Sequence, residues 1–95
     1  MGNVYIDGKP ICDDKWDIHD ANVVCHQLGL GGAIVATKKS FFGLADQDYA
    51  LDNVECSGTE DTISDCEHSS THNCQNNEAA GVICSSKFLD FNFGF

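Results

Sequence analysis

Two aspartates, Asp13 and Asp14, follow Cys12 directly, and the chemistry that suits such a pair is holding a cation. Calcium takes about six to eight oxygens, from carboxylates, carbonyls and water. Carboxylates crowded together repel one another, so a cation between them relieves a standing cost. Paired carboxylates also perform general acid–base work on sugars, but Asp13 and Asp14 read as loop residues with no sign of a substrate cleft. Nucleophilic catalysis finds less footing. His19, His26, His68 and His72 have no matched nucleophile, since oxidised cysteines are unreactive and no Gly-x-Ser-x-Gly occurs. The chain therefore reads as a non-enzyme. Asp46-Gln47-Asp48 lacks the glycine and distal glutamate of an EF-hand loop. His68 and His72 lie near Cys66 and Cys74 and are zinc-ligand types, yet no two cysteines have C-x-x-C spacing, and the six read as disulfides.

The element that carries these residues is an amphipathic helix after Trp16. Asp17 suits its N-cap, and Asp20, three residues on, suits the positive end of the helix dipole. Ala21, Val24, Cys25 and Leu28 recur at helical spacing and line one buried face, and Gly29 is a natural stop. Trp16 reads as a core residue rather than a ligand platform, given the area it buries. Upstream, Val4-Tyr5-Ile6 is a strand, and Asp7-Gly8 is a turn that makes a hairpin with Lys9 to Cys12.

Downstream, Ala33-Ile34-Val35-Ala36 reads as a buried strand. Lys38 to Asp48 reads as a surface loop anchored by Phe41-Phe42-Gly43-Leu44. Tyr49 to Val54 alternates as a strand running into Cys56. Ser57-Gly58-Thr59-Glu60 has capping-box form and predicts a short second helix that carries Ile63 and Cys66 inward. His68 to Asn77 is a polar loop held at Cys74, and Ala79 to Cys84 closes the domain as a strand. In the tail, Leu89, Phe91, Phe93 and Phe95 alternate with polar residues and glycine. Exposing such a stripe is unfavourable. The tail is therefore predicted to add as a strand, to its own sheet edge or, as the preferred arrangement, to a neighbouring molecule in a homodimer.

Ninety-five residues make one small domain whose core alone gives modest stability, and six cysteines supply the missing constraint. That places the chain in an oxidising, extracellular compartment. No stretch resembles a signal peptide or reaches membrane-spanning length, so the chain reads as part of a larger secreted or cell-surface protein. Fifteen acidic residues oppose five lysines and no arginine, for a net charge of −10. Nucleic acid, heparin and anionic membrane each need a basic footprint and are excluded as direct partners. The charge favours cations.

Taken in order, Cys12-Asp13-Asp14-Lys15-Trp16-Asp17, Asp20 to Gly29, Leu51 to Glu60, His72-Asn73-Cys74 and Gly81 to Cys84 resemble the scavenger receptor cysteine-rich (SRCR) domain family in its six-cysteine, group A form. The resemblance covers most of residues 2–84. The opening is shorter than the family pattern, and the tail from Lys87 lies outside it. This divides the chain into a domain at 1–86 and a tail at 87–95. The resemblance implies an α+β, disulfide-rich fold in which a curved antiparallel sheet cradles one main helix, with a short second helix. It also implies the pairings Cys12–Cys74, Cys25–Cys84 and Cys56–Cys66, whereas the residues alone leave the connectivity open.

Two cation positions follow from the same resemblance, one at Asp13, Asp14 and Glu78 and a second at Asp17, Asp20, Asp52 and Asn53. The ion would be calcium, or magnesium in its place. The function implied is a recognition module that engages an anionic or protein ligand through the bound cation. The alternative is a positioning module, beside a protease or oxidase domain for example, with no ligand of its own.

Overall fold

The computed structural model describes residues 1–45, 48–69 and 73–85 and the backbone of 92–94. In chain order these form β1 (Gly2–Ile6), β2 (Lys9–Pro10), α1 (Ile18–Gln27), β3 (Ala33–Thr37), β4 (Asp52–Glu55), a single 3-10 turn (Ile63–Asp65), β5 (Glu67–Ser69), β6 (Gly81–Cys84) and β7 (Asn92–Gly94). The main sheet runs β2-β1-β6-β3, with every pair antiparallel, and β4 and β5 make a separate antiparallel pair. Asp7 and Gly8 connect β1 to β2 with φ of 51° and 78°. Two consecutive positive φ values match the twist of a tight hairpin.

Helix α1 begins where the sequence predicts. The Asp17 carboxylate accepts from the backbone N–H groups of His19 and Asp20 at 3.0 and 3.2 Å, and Asp20 accepts from Asp17 N–H at 2.7 Å. This reciprocal box satisfies donors that the helix start cannot pair internally. Past the other end, Gly29 takes the left-handed conformation at φ 71°. Ala21, Val23, Val24 and Cys25 are buried, and α1 packs across β3 and β6. Each fully buried valine contributes roughly 1.5–3 kcal/mol. Two polar side chains of α1 fix its neighbours, with Asn22 Oδ1 accepting from Ala33 N–H and Gln27 Oε1 from Ile63 N–H.

At the centre of the sheet, Gly81 pairs with Asn3 on one side and Thr37 on the other. A Cβ at Gly81 would lie 2.4 Å from Thr37 Oγ1 and 2.8 Å from the Gly2 carbonyl oxygen. Both are closer than real Cβ contacts allow, so the strands approach as they do only because this residue has no side chain. Beneath them Trp16 is fully buried, and its indole N–H donates to the Gly81 carbonyl at 3.0 Å.

Three expectations need correction. β3 is not a buried strand. Its register with β6 shifts between Ala33 and Val35, and a bulge re-aims the residues around it, here leaving both Ile34 and Val35 exposed. The Phe41–Leu44 segment anchors its loop through Phe42 alone, which is half-buried and stacks edge-on against Phe41 at 5.0 Å, while Phe41 and Leu44 face solvent. No helix starts at Ser57. Glu60 does reach back to Ser57 N–H, but it also takes Gly58 and Thr59 N–H. With those donors turned onto one carboxylate the backbone closes a loop, and only one 3-10 turn follows, after Thr62.

The tail adds to its own sheet, where Asn92, Phe93 and Gly94 run parallel to β1 in register with Asn3, Val4 and Tyr5. That is the first of the two arrangements expected of it, not the preferred pairing between molecules. Leu89, Phe91 and Phe95 lie outside the described residues.

Candidate functional site

Three disulfides close the domain, Cys12–Cys74, Cys25–Cys84 and Cys56–Cys66, with Cα separations of 6.2, 5.7 and 4.8 Å. The first organises the acidic site. Cys12 N–H donates to the Leu51 carbonyl at 3.0 Å, and Ile11 bridges Leu51 in parallel. This contact lays the start of β4 along the segment that carries Asp13 and Asp14. From the other direction, Asp13 N–H donates to the Glu78 carbonyl at 2.8 Å. Tyr49 holds the same region by donating its hydroxyl to the Gln75 carbonyl.

Asp14, Glu78 and the Cys74 sulfur place ligand atoms within 4.8 Å of one another. Asp52 and the sulfurs of Cys12 and Cys74 form a second such group, so three carboxylates from three segments surround one disulfide. Partial burial, and then Asp52, close enough to share a hydrogen bond and add its own charge, push the Asp14 carboxyl above its ordinary range; Lys38 pulls the other way. Asp13 plays a different part. It is buried and its carboxylate accepts the Lys39 N–H at 2.8 Å. Glu78 accepts from Gln75 N–H at 2.6 Å, which aims its carboxylate.

Residues 3–85 match the family model of the scavenger receptor cysteine-rich domain. The chain belongs to this SRCR family. It is 50% identical over 89 residues to a scavenger receptor cysteine-rich domain superfamily protein of Patiria pectinifera, covering 87% of this chain but 8% of that protein. It thus spans a small fraction of that relative's length. Among solved structures, the dimeric form of the SRCR domain of mouse MARCO matches with a TM-score of 0.78 and 41% identity, over 88% of this chain and 85% of that one. The third SRCR domain of murine neurotrypsin matches at 0.74 and 40%, over 86% and 77%. SRCR domains are extracellular, non-enzymatic ligand-recognition modules of multidomain proteins. No helix among the described residues is long and apolar enough to cross a membrane.

The second set of candidate ligands is divided in this SRCR domain. Asp17 and Asp20 are engaged in the helix cap. Asp20 is fully buried, and its other oxygen accepts Cys56 N–H at 2.6 Å, which ties α1 to the third disulfide. Asp52 lies instead with Asp14, and its carboxylate accepts Asn53 N–H at 2.7 Å, Asn53 being held at φ 53°. Among the described residues no group of three or more metal-ligating residues joins Asp17 and Asp20 with Asp52. The partnership of Asp14 with Asp52 escaped the sequence reading, because it depends on the Ile11–Leu51 crossing and leaves no local spacing signal.

Burial, working against the hydrogen bonds from Cys56 and Asp17, raises Asp20 from an ordinary 3.8 to about 6. The folded state then holds a proton that the unfolded chain has released between those values. Its stabilising contribution is complete below 3.8 and is lost as pH rises through about 6. Asp20→Asn removes the titration but keeps an oxygen for Cys56 N–H. The stability of the wild type relative to this variant should fall by on the order of 2 kcal/mol between pH 4 and 7. Urea unfolding with chelator at several pH values measures it, and a pH-independent difference would rule it out.

Proposed function

We propose that this SRCR domain recognises its ligand through a divalent cation, calcium or in its place magnesium, held by Asp14 and Glu78 with Asp52 beside them. The supporting observation is the approach of Asp14 and Glu78 at the Cys12–Cys74 bridge, with Asp52 adding a third carboxylate. The donor set suits a hard cation, being carboxylate oxygens in a partly exposed place that leaves other coordination positions to water. Asp13 positions this segment through Lys39 and Glu78. When bound, the ion supplies positive charge to which an anionic group of a protein or polyanionic ligand can add its own oxygens.

Asp17 and Asp20 serve the helix cap and Asn53 the irregular start of β4 in this reading. The domain proper is 1–86, with 87–95 a tail that contributes the strand Asn92–Gly94. Exchange of that strand between two copies would give a homodimer, in keeping with the dimeric form solved for the mouse MARCO domain.

Affinity on the order of 10⁻³ M is typical of extracellular modules of this kind. At roughly 10 mM calcium, binding to the folded state alone stabilises by about 1.4 kcal/mol, or ~5–10 °C in melting temperature for a domain this small. Asp14→Asn and Glu78→Gln should each remove the rise while preserving the fold. A melting curve unmoved by calcium would refute the reading, and the absence of ligand binding both with and without chelator would favour a positioning module with no ligand of its own.

A further inference from the structure

We propose that Cys74 is a thiol-exchange site, at which a small aminothiol opens the Cys12–Cys74 bridge and stays attached with its ammonium among Asp14, Glu78 and Asp52. Exposure selects the bridge. Of the six half-cystines, all within the described residues, only Cys74 is partly exposed. The other five are at most 9% exposed, and Cys12, its own partner, is fully buried. A thiolate must reach the sulfur that it attacks, so Cys74 is the point of entry and Cys12 the leaving group.

Charge selects the thiol. Asp14 Oδ2 lies 3.9 Å from the Cys74 sulfur, and Glu78 places an oxygen within 4.8 Å of both. Asp52 places one within 4.8 Å of both sulfurs of the bridge. Lys38 offsets part of the charge at Asp14, one cation against three carboxylates. The field that remains opposes an approaching thiolate, and it opposes the thiolate that must leave on buried Cys12. An ammonium on the attacking molecule relieves both. Cys25 and Cys84 enter no such group among the described residues, and Cys56–Cys66 has Glu60 alone beside it.

The bridge reacts as an electrophile. The thiolate attacks the Cys74 sulfur and a new sulfur–sulfur bond forms there. The Cys12–Cys74 bond breaks, and its electron pair goes to Cys12, which takes a proton from solvent. One disulfide replaces another, so no oxidant or reductant is consumed. Backbone contacts hold both ends while the bridge is open. Cys12 pairs with Leu51 and Ala79, Asp13 N–H with the Glu78 carbonyl, and the Ser40 hydroxyl with the Asn76 carbonyl. Cys12 thus stays within reach of the adduct and can expel the aminothiol again. In the place proposed for the cation, the ammonium would exclude the ion, a consequence that rests on that reading; the exchange itself does not.

The test adds cysteamine or 2-mercaptoethanesulfonate, two-carbon thiols ending in ammonium or sulfonate, to the oxidised domain in chelator. Acid quench and peptide mapping identify the opened bridge and the position of the adduct. Cysteamine should open Cys12–Cys74 before the other two bridges, leave its adduct on Cys74, and react about tenfold faster per thiolate than the sulfonate. At about 1 M salt, where the screening length is ~3 Å, that preference should shrink to roughly twofold. Asp14→Asn with Glu78→Gln should shrink it as well. Cys12→Ala cannot re-close the bridge, so cystamine should load its Cys74 thiol about tenfold faster than the disulfide of the sulfonate does, however fast the wild type re-closes. First opening at another bridge, an adduct on Cys12, equal rates for the two thiols at low salt, no adduct on Cys74 in either protein, or loss of the native amide spectrum on adduct formation would each overturn the proposal.

Discussion

Replacing Cys25 and Cys84 together by alanine should remove the larger part of this domain's stability. The bridge spans 59 residues of sequence and joins α1 to the last strand of the domain, while Cys56–Cys66 spans only 10. On the chain-entropy account, closing the longer loop is worth about 4 kcal/mol and the shorter about 3. A native state of this size has roughly 5–15 kcal/mol in total. The Cys25–Cys84 variant also loses the buried sulfurs that join helix to sheet, so its deficit should exceed that of Cys56→Ala with Cys66→Ala. At about 4–8 °C per kcal/mol, the melting temperature should fall by ~15–30 °C. Calorimetry on the two double variants decides the matter. A loss of only a few degrees in the first would show that the apolar core, not the covalent frame, holds the fold.

Trp16 should be the most costly single core position. Trp16→Ala removes a wholly buried indole and should cost about 3–5 kcal/mol. Trp16→Phe tests a separate contribution. The ring remains apolar and large, but the Gly81 carbonyl loses its indole partner, and a hydrogen bond of this kind contributes about 0.5–1.5 kcal/mol. Because Gly81 carries no side chain, nothing on that residue can compensate. Urea unfolding followed by circular dichroism gives both numbers; a Phe variant as stable as the wild type would show the hydrogen bond to be dispensable.

What the sequence revealed was local chemistry. Asp17, Asp20 and Gly29 announced both ends of α1, and Asp7-Gly8 announced the hairpin, since capping and turn geometry depend on a few adjacent residues. The family resemblance supplied the pattern that residue spacing alone left open. What escaped was set by contacts distant in sequence. The exposure of Ile34 and Val35 follows from a register shift against β6. Glu60 has the residue type of a capping box, but three backbone donors converge on it. Burial divides Asp13 from Asp14, neighbours of identical chemistry, into a structural acceptor and a candidate ligand. Asp52 joins the latter through the crossing at Leu51.

The placement of the bridges also governs how the domain behaves under tension. Pulled apart at Gly2 and Ser85, the unfolded chain transmits load through the shortest covalent route, which leaves the main chain at Cys12 for Cys74 or at Cys25 for Cys84. Either route is about a quarter of the full contour, so the domain lengthens to no more than ~70–90 Å where an unbridged chain would reach ~280 Å. Everything between Cys25 and Cys74, including Asp52 and the β3 edge, is bypassed and carries little force. In a long string of domains such a unit behaves as a short tether with a hard limit.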